Sequence, residues 1–79
     1  MQLSYELTLK NGKRVGVWDE RTSGGIIDKY VGPFADTVEA NNYANDFTEA
    51  YSMGYNGRAR LTVMNDAIYV ACTRWTSCD

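Results

Sequence analysis

The first twenty residues alternate between apolar and polar side chains, a pattern that predicts a β-hairpin. A two-residue Asn-Gly turn would move Val15 and Val17 to the polar face. A three-residue turn, Lys10-Asn11-Gly12 with Gly12 left-handed, keeps them on the apolar face and is therefore predicted. The apolar face then holds Leu3, Tyr5, Leu7, Leu9, Val15 and Val17. The polar face holds Ser4, Glu6, Thr8, Arg14 and Trp18.

The segment from Arg60 to Trp75 alternates in the same way and predicts a second hairpin. A two-residue turn at Asn65-Asp66 gives a consistent phase for both strands. It pairs Val63 with Ile68, Leu61 with Val70 and Ala59 with Cys72. The opposite face then collects Arg60, Thr62, Met64, Tyr69, Ala71, Thr73 and Trp75.

Between the hairpins, the polar segment 19–25 is predicted to be a loop and the segment 26–31 a short third strand, which the Gly-Pro-Phe sequence ends. One helix of about 17 residues follows, with Asp36 as N-cap, Glu39 three positions later and Gly54 as the C-terminal stop. Its apolar face holds Ala40, Tyr43, Ala44, Phe47, Ala50 and Tyr51. Its polar face holds Asn41, Asn42, Asn45, Asp46 and Glu49.

The elements occur in the order βββαββ, which predicts an α+β fold: a five-stranded antiparallel sheet with one helix packed on one face. Residues 1–79 are expected to form one domain, since a chain of this size has room for a single core. The order of the strands in the sheet stays open. The predicted core consists of Leu3, Tyr5, Leu7, Val15, Val17, Ala44, Phe47, Tyr51, Leu61, Val63, Ile68 and Val70.

The overall charge is only mildly acidic, with a net charge of −2 and a pI of about 4.9. This balance is unlike that of a general polyanion binder and favours a protein partner over direct nucleic-acid binding. The chain shows neither the pattern of a signal peptide nor an apolar run long enough to span a membrane, so a cytoplasmic location is expected. The pattern favours reduced thiols at Cys72 and Cys78, with a local bridge between them as the alternative.

No motif for catalysis is found. The sequence has no histidine, its serines have no nucleophile-elbow pattern, and its glycines do not form a phosphate-binding loop. The pairs Asp19–Glu20 and Asp46–Glu49 are interpreted as solvated surface groups rather than as an acid–base pair or a cation site. We therefore expect neither an enzyme nor a cofactor or metal site.

The sheet face that a single helix leaves open is the strongest functional signal. It is predicted to carry Arg14, Trp18, Arg60, Tyr69 and Trp75, and these residue types are enriched at binding hot spots. In a purely structural interpretation, Trp18 and Trp75 cap sheet edges and Tyr69 packs on Arg60. In the binding interpretation, the acidic groups Asp19, Glu20, Asp46 and Glu49 add contacts to a basic partner surface.

In its length and its arrangement of predicted elements, the whole chain resembles the small inhibitor proteins of bacteriophages, especially anti-CRISPR proteins. The elements that carry this resemblance are an antiparallel sheet, built from YELTLKNGKRVGVW and RLTVMNDAIYVACTRW, and a helix, built from DTVEANNYANDFTEAYSM. The resemblance implies a non-enzymatic inhibitor that docks on a CRISPR effector complex of the host and blocks target-DNA binding or nuclease recruitment. Many inhibitors of this class place acidic residues against the lysine-lined DNA channel of the effector, and the candidates for such contacts here are Asp19, Glu20, Asp46 and Glu49.

Two other functions stay open at this point. A single-stranded nucleic-acid-binding module would stack bases on the aromatic side chains of the open face and place phosphates against its arginines. A structural or assembly protein would use the same face as a homodimer interface. The chain is accordingly expected to be a monomer or a homodimer.

Overall fold

The computed structural model describes residues 1–50 and 55–76 and shows one antiparallel sheet with a helix packed on it. The strands are β1 (Leu3–Thr8), β2 (Arg14–Ser23), β3 (Ile26–Phe34), β4 (Tyr55–Met64) and β5 (Ala67–Thr76). The helix α1 (Thr37–Ala50) follows β3 and lies over β4, β5 and β3. The strand order is β1-β2-β3-β5-β4. The predicted α+β fold, with its element order βββαββ, is confirmed.

Both hairpins have the predicted turns. In the first, Leu7 pairs with Val15, and Gly12 has a φ of 87°, as the three-residue turn requires. In the second, Asn65 and Asp66 have φ values of 52° and 61°, the conformation of a tight two-residue hairpin turn. All three cross-strand pairs predicted for the second hairpin are present. The phase of the apolar residues therefore specifies the register of both hairpins.

The middle of the sheet differs from the prediction. The segment 19–25 is not a loop, because β2 continues to Ser23 and the chain reverses at Gly24-Gly25, where both residues have positive φ. Strand β3 also continues past Val31 to Phe34. Its pairing shifts between these two residues, so Pro33, which has no N–H to donate, lies in an irregularity of the ladder.

The helix begins where the sequence predicts. The backbone N–H of Glu39 donates to Asp36 Oδ1 at 2.8 Å, which is the expected N-cap contact. The Glu39 carboxylate accepts from Ala35 N at 3.2 Å, one residue before the partner that a capping box predicts. The predicted stop at Gly54 and the helical position of Tyr51 lie outside the described residues. Within the described residues, no helix is long and apolar enough to cross a membrane.

The core lies between the helix and the centre of the sheet. Val17, Val31 and Val70 are neighbours across β2, β3 and β5, and each is fully buried. The helix covers them with Ala40, Ala44 and Phe47.

Three residues of the predicted core are exposed instead: Leu3 (46%), Tyr5 (44%) and Val63 (72%). Tyr5 lies on β1, away from the strands that the helix covers, and Val63 lies at the end of β4, beside the turn. The register shift between Leu3 and Tyr5 turns Leu3 toward Gly16 on the opposite face. Alternation predicts the face of a residue, but it does not predict the extent of the helix that covers that face.

Candidate binding face

The sheet face opposite the helix, here called the open face, is built from rows of side chains that cross the strands. Cross-strand partners in an antiparallel sheet point to the same face, so the register gives these rows directly. The first row contains Arg21, Asp28, Thr73 and Arg58. The second row contains Trp18, Tyr30, Ala71 and Arg60. Both rows run from β2 through β3 and β5 to β4.

A pair of glycines forms the next position along the open face. Gly16 and Gly32 are cross-strand partners, and neither has a side chain to cover the sheet. The indole of Trp18 lies over Gly16, where an added Cβ would come within 2.6 Å of its Nε1. The same Nε1 donates to the Gly32 carbonyl oxygen at 3.0 Å. Trp18 is on the predicted face, but its indole is held against its own chain.

Tyr69 covers the second glycine of the pair. A Cβ on Gly32 would lie 2.8 Å from Cδ2 of the Tyr69 ring, and Gly32 has a φ of 150°. Tyr69 is consequently only 6% exposed. Tyr69 thus lies on the predicted face but is buried by its own chain, which the sequence pattern does not show, because the pattern does not reveal that Gly32 lies beneath the ring.

A charged concavity includes the remaining part of the open face, and its lining also contains Lys29, Ala59 and Cys72 of the helix-side face and Thr48 of α1. We call it the arginine groove and define it by six of the residues that line it: Arg21, Asp28, Tyr30, Arg58, Arg60 and Thr73. The three arginines and Asp28 are exposed, and Tyr30 and Thr73 are half-buried. Asp28 accepts a hydrogen bond from the Thr73 hydroxyl at 2.8 Å. These six residues thus bring three arginines and one hydrogen-bonded carboxylate onto one surface, and the carboxylate of Asp19 also lines the concavity.

Trp75 lies beside this groove. The guanidinium carbon of Arg58 is 5.7 Å from the centre of the Trp75 ring, within the range of a cation–π contact. Neither tryptophan caps a sheet edge, because β2 and β5 are both interior strands. Trp75 therefore orients an arginine of the groove, whereas Trp18 links β2 to β3.

The basic residues around the turn of the first hairpin have acidic partners within the chain. Arg14 pairs with Glu6 at 3.2 Å, Lys10 pairs with Asp46 at 3.3 Å, and the third pair joins Lys13 to Glu39 at 3.5 Å. Among the described residues, Arg21 and Arg60 form neither an ion pair nor a hydrogen bond with an acidic side chain. The uncompensated positive charge of the open face is consequently concentrated in the arginine groove, and Arg14 lies outside it.

The predicted acidic contacts Asp19 and Glu20 hold β1 in place. Asp19 has a φ of 52° at an irregularity of β2, and its Oδ1 accepts from Gln2 N at 2.8 Å. Glu20 Oε2 accepts from the Tyr5 hydroxyl at 3.0 Å. Both carboxylates thus have contacts within the chain, on a strand that was predicted to be a loop.

The helix carries the other two predicted acidic contacts on the opposite side of the molecule. Asp46 forms its ion pair with Lys10, whereas Glu49 is exposed. No lysine or arginine occurs between Thr37 and Ala50, so every charged residue of the helix is acidic. By the register of their strands, the three arginines of the groove lie on the sheet face opposite the helix.

Cys72 is a free thiol in the core, 2% exposed, with its Sγ 3.7 Å from the Val70 carbonyl oxygen. Burial raises its pKa to about 12, against a smaller lowering by the nearby Lys29 ammonium. The thiol is therefore protonated and shielded, as the sequence predicts for a cysteine packed as a small apolar residue. Cys78 lies outside the described residues. Within the described residues, no three cysteine or acidic side chains lie close enough together to hold a metal ion.

The sequence interpretation missed Arg21 and Arg58. Arg58 lies two positions before Arg60 on β4, so extending the alternation by one step would have identified it. Arg21 gives no such signal, because the irregularity after Trp18 changes the phase of β2. Compared with known protein families, curated proteins and solved structures, the chain matches none.

Proposed function

We propose that this chain is a non-enzymatic inhibitor that binds a host protein or ribonucleoprotein complex in the host cytoplasm. By its resemblance to anti-CRISPR proteins, it would occlude a CRISPR effector and block target-DNA binding or nuclease recruitment. The observation that carries the proposal is a sheet with a helix on one face and, on the other, a groove of three arginines. Exposed arginines beside aromatic side chains are typical of binding surfaces.

The separation of charge supports an interface with both signs of charge. The arginine groove lies on the open face, and the acidic helix surface with Glu49 lies on the other side of the sheet. A partner that contacts both surfaces must present acidic groups to one and basic groups to the other. Such complementarity gives specificity and steers association. It also explains how a chain with a net charge of −2 binds through arginines.

The nucleic-acid-binding alternative has weaker support. Base stacking needs exposed aromatic faces. Trp18 and Tyr69, two of the three aromatic residues that were expected to provide them, pack on Gly16 and Gly32 instead. Tyr30 and Trp75 are half-buried, and Trp75 also lies beneath Arg58. We therefore favour a protein surface as the principal contact.

A plaque assay tests the proposal. Phages that a CRISPR system restricts are plated on cells that express the chain, across the main CRISPR subtypes. Restored plaques in one subtype are expected, together with co-purification of the effector complex with the chain. Restriction that persists in every subtype would refute the anti-CRISPR function.

A further inference from the structure

The arginine groove presents its charges in a fixed two-dimensional pattern. Arg21 and Arg58 occupy the two ends of one row, on strands three steps apart, or about 15 Å at the usual strand spacing. Arg58 and Arg60 lie two residues apart on β4, or about 7 Å along the strand. The backbone positions of the three arginines therefore form a triangle, and all three lie on strands rather than on loops.

The environment of these arginines favours an external ligand. The charged groups of Arg21 and Arg60 have no acidic partner among the described residues, while the three cations around the turn of the first hairpin have one each. Trp75 restricts Arg58 through the contact between its ring and the guanidinium group. A pre-oriented guanidinium loses less conformational entropy when it binds. The planar fork of a guanidinium matches a carboxylate or a phosphate in two parallel hydrogen bonds.

The acidic groups in the same groove discriminate between these two ligands. Asp28 lies between Arg21 and Arg58 in the first row, and Asp19 also lines the groove. A continuous phosphate backbone that crosses the groove would pass close to these carboxylates and be repelled. A protein segment can place neutral residues between its carboxylates, whereas a phosphate backbone carries a charge at every nucleotide. An acidic segment can therefore present carboxylates to the arginines and a neutral residue to Asp28.

We infer that the arginine groove binds an acidic segment of the target protein, whose carboxylates form paired hydrogen bonds with Arg21, Arg58 and Arg60. This inference rests on the proposed function, because it assigns a chemistry to the surface of the inhibited partner. The helix surface would then face a separate, basic part of that partner.

The experiment measures fluorescence anisotropy with a fluorescein-labelled peptide of alternating glutamate and glycine. The test variant is Arg21→Gln/Arg60→Gln, and the matched control is Lys10→Gln/Lys13→Gln, which removes the same charge outside the groove. At an ionic strength of about 50 mM, where screening is weak, we expect the test variant to bind about tenfold more weakly and the control to bind as the unmodified chain does. Circular dichroism and thermal unfolding verify that both variants are folded.

Four results would overturn the inference. The first is the absence of peptide binding, and the second is equal weakening by the test and control variants. The third is tighter binding of a single-stranded oligothymidylate than of the peptide, which would favour a nucleic-acid module. The fourth is a dimer in sedimentation that dissociates only in the test variant, which would identify a second copy of the chain as the occupant.

The plaque assay separates this inference from the proposed function. If the unmodified chain restores plaques and Arg21→Gln/Arg60→Gln restores them equally, the groove assignment is wrong and the inhibitor function stands. If the unmodified chain never restores plaques but the glutamate peptide binds through the groove, the anti-CRISPR function fails and the carboxylate preference stands.

Discussion

The indole Nε1 of Trp18 donates to the Gly32 carbonyl oxygen at 3.0 Å, across the β2–β3 pair on the open face. This bond exists because Gly16, two residues before Trp18 on the same strand, leaves room for the ring. A tryptophan that alternation places toward solvent is thereby drawn onto its own sheet. The open face is therefore divided into a part that the chain itself covers and the arginine groove.

Replacement of Gly16 by alanine is expected to destabilise the fold. The new Cβ would lie 2.6 Å from Trp18 Nε1 and 2.8 Å from Cε2, so the ring must move and the bond to Gly32 is strained or lost. Overpacking of this kind costs about 1–3 kcal/mol. Urea denaturation followed by circular dichroism measures the loss, and a change in tryptophan fluorescence should accompany it.

Gly24→Asn is the control for this prediction. A Cβ at Gly24 meets no atom within 4 Å, and its φ of 58° is a conformation that asparagine tolerates. We expect a change of less than about 0.5 kcal/mol in the free energy of unfolding. Equal destabilisation by both variants would show that Trp18 does not pack on Gly16 as described.

The hairpins could be predicted from the sequence because two constraints agree in each of them. In the second hairpin, the tight turn at Asn65-Asp66 and the apolar phase of Leu61 and Val70 require one register. In the segment from Asp19 to Gly25, no turn and apolar phase agree on one register. There the strand continues through polar residues, held by the bond from Gln2 N to Asp19, a partner distant in sequence.

The binding face was predicted less completely than the fold. Alternation placed Arg60 and Trp75 correctly on the open face, and it would have added Arg58. The burial of Tyr69 depends on Gly32, which belongs to a strand whose position in the sheet the sequence leaves undetermined. Side-chain packing across strands that are distant in sequence requires the strand order, and the strand order was open.

Two valines on the second hairpin test how far the helix covers the sheet. Val70→Ala removes two methyl groups from a fully buried site, which costs about 2–3 kcal/mol for the lost burial and the cavity. Val63→Ala changes a side chain that is 72% exposed and should cost less than about 0.5 kcal/mol. The free energy of unfolding in urea is the measurement. A comparable loss at both positions would mean that Val63 is covered after all.

The N-cap of α1 gives a third prediction. Asp36→Ala removes the acceptor of the Glu39 N–H bond, and the loss of an N-cap typically costs about 1 kcal/mol. Asn41→Ala, on the exposed face of the same helix, is the matched control and should stabilise the chain slightly, by up to about 0.7 kcal/mol, because alanine has the higher helix propensity. Thermal unfolding monitored by circular dichroism compares the two variants. An Asp36→Ala variant that is as stable as the unmodified chain, or more stable, would contradict the assignment of Asp36 as the cap.

The buried thiol of Cys72 predicts how stability depends on pH. Burial raises its pKa from 9.0 to about 12, so the folded chain keeps the proton through a pH range in which the unfolded chain releases it. Its contribution to stability is therefore fully present below pH 9 and decreases as the pH rises toward 12.

Between pH values of about 8 and 10.5, the Cys78→Ser variant should lose more free energy of unfolding than the Cys72→Ala/Cys78→Ser variant, because only the Cys78→Ser variant carries the buried thiol. Urea denaturation at both pH values measures the free energy of unfolding of each variant. The lysines and tyrosines are the same in both variants, so their titration does not contribute to the difference between them. Ellman's reagent at the lower pH should react slowly with the folded Cys78→Ser chain and rapidly in urea, because a protonated, buried thiol is unreactive. A parallel pH dependence in both proteins, or rapid labelling of the folded chain, would contradict the burial of Cys72 beneath α1.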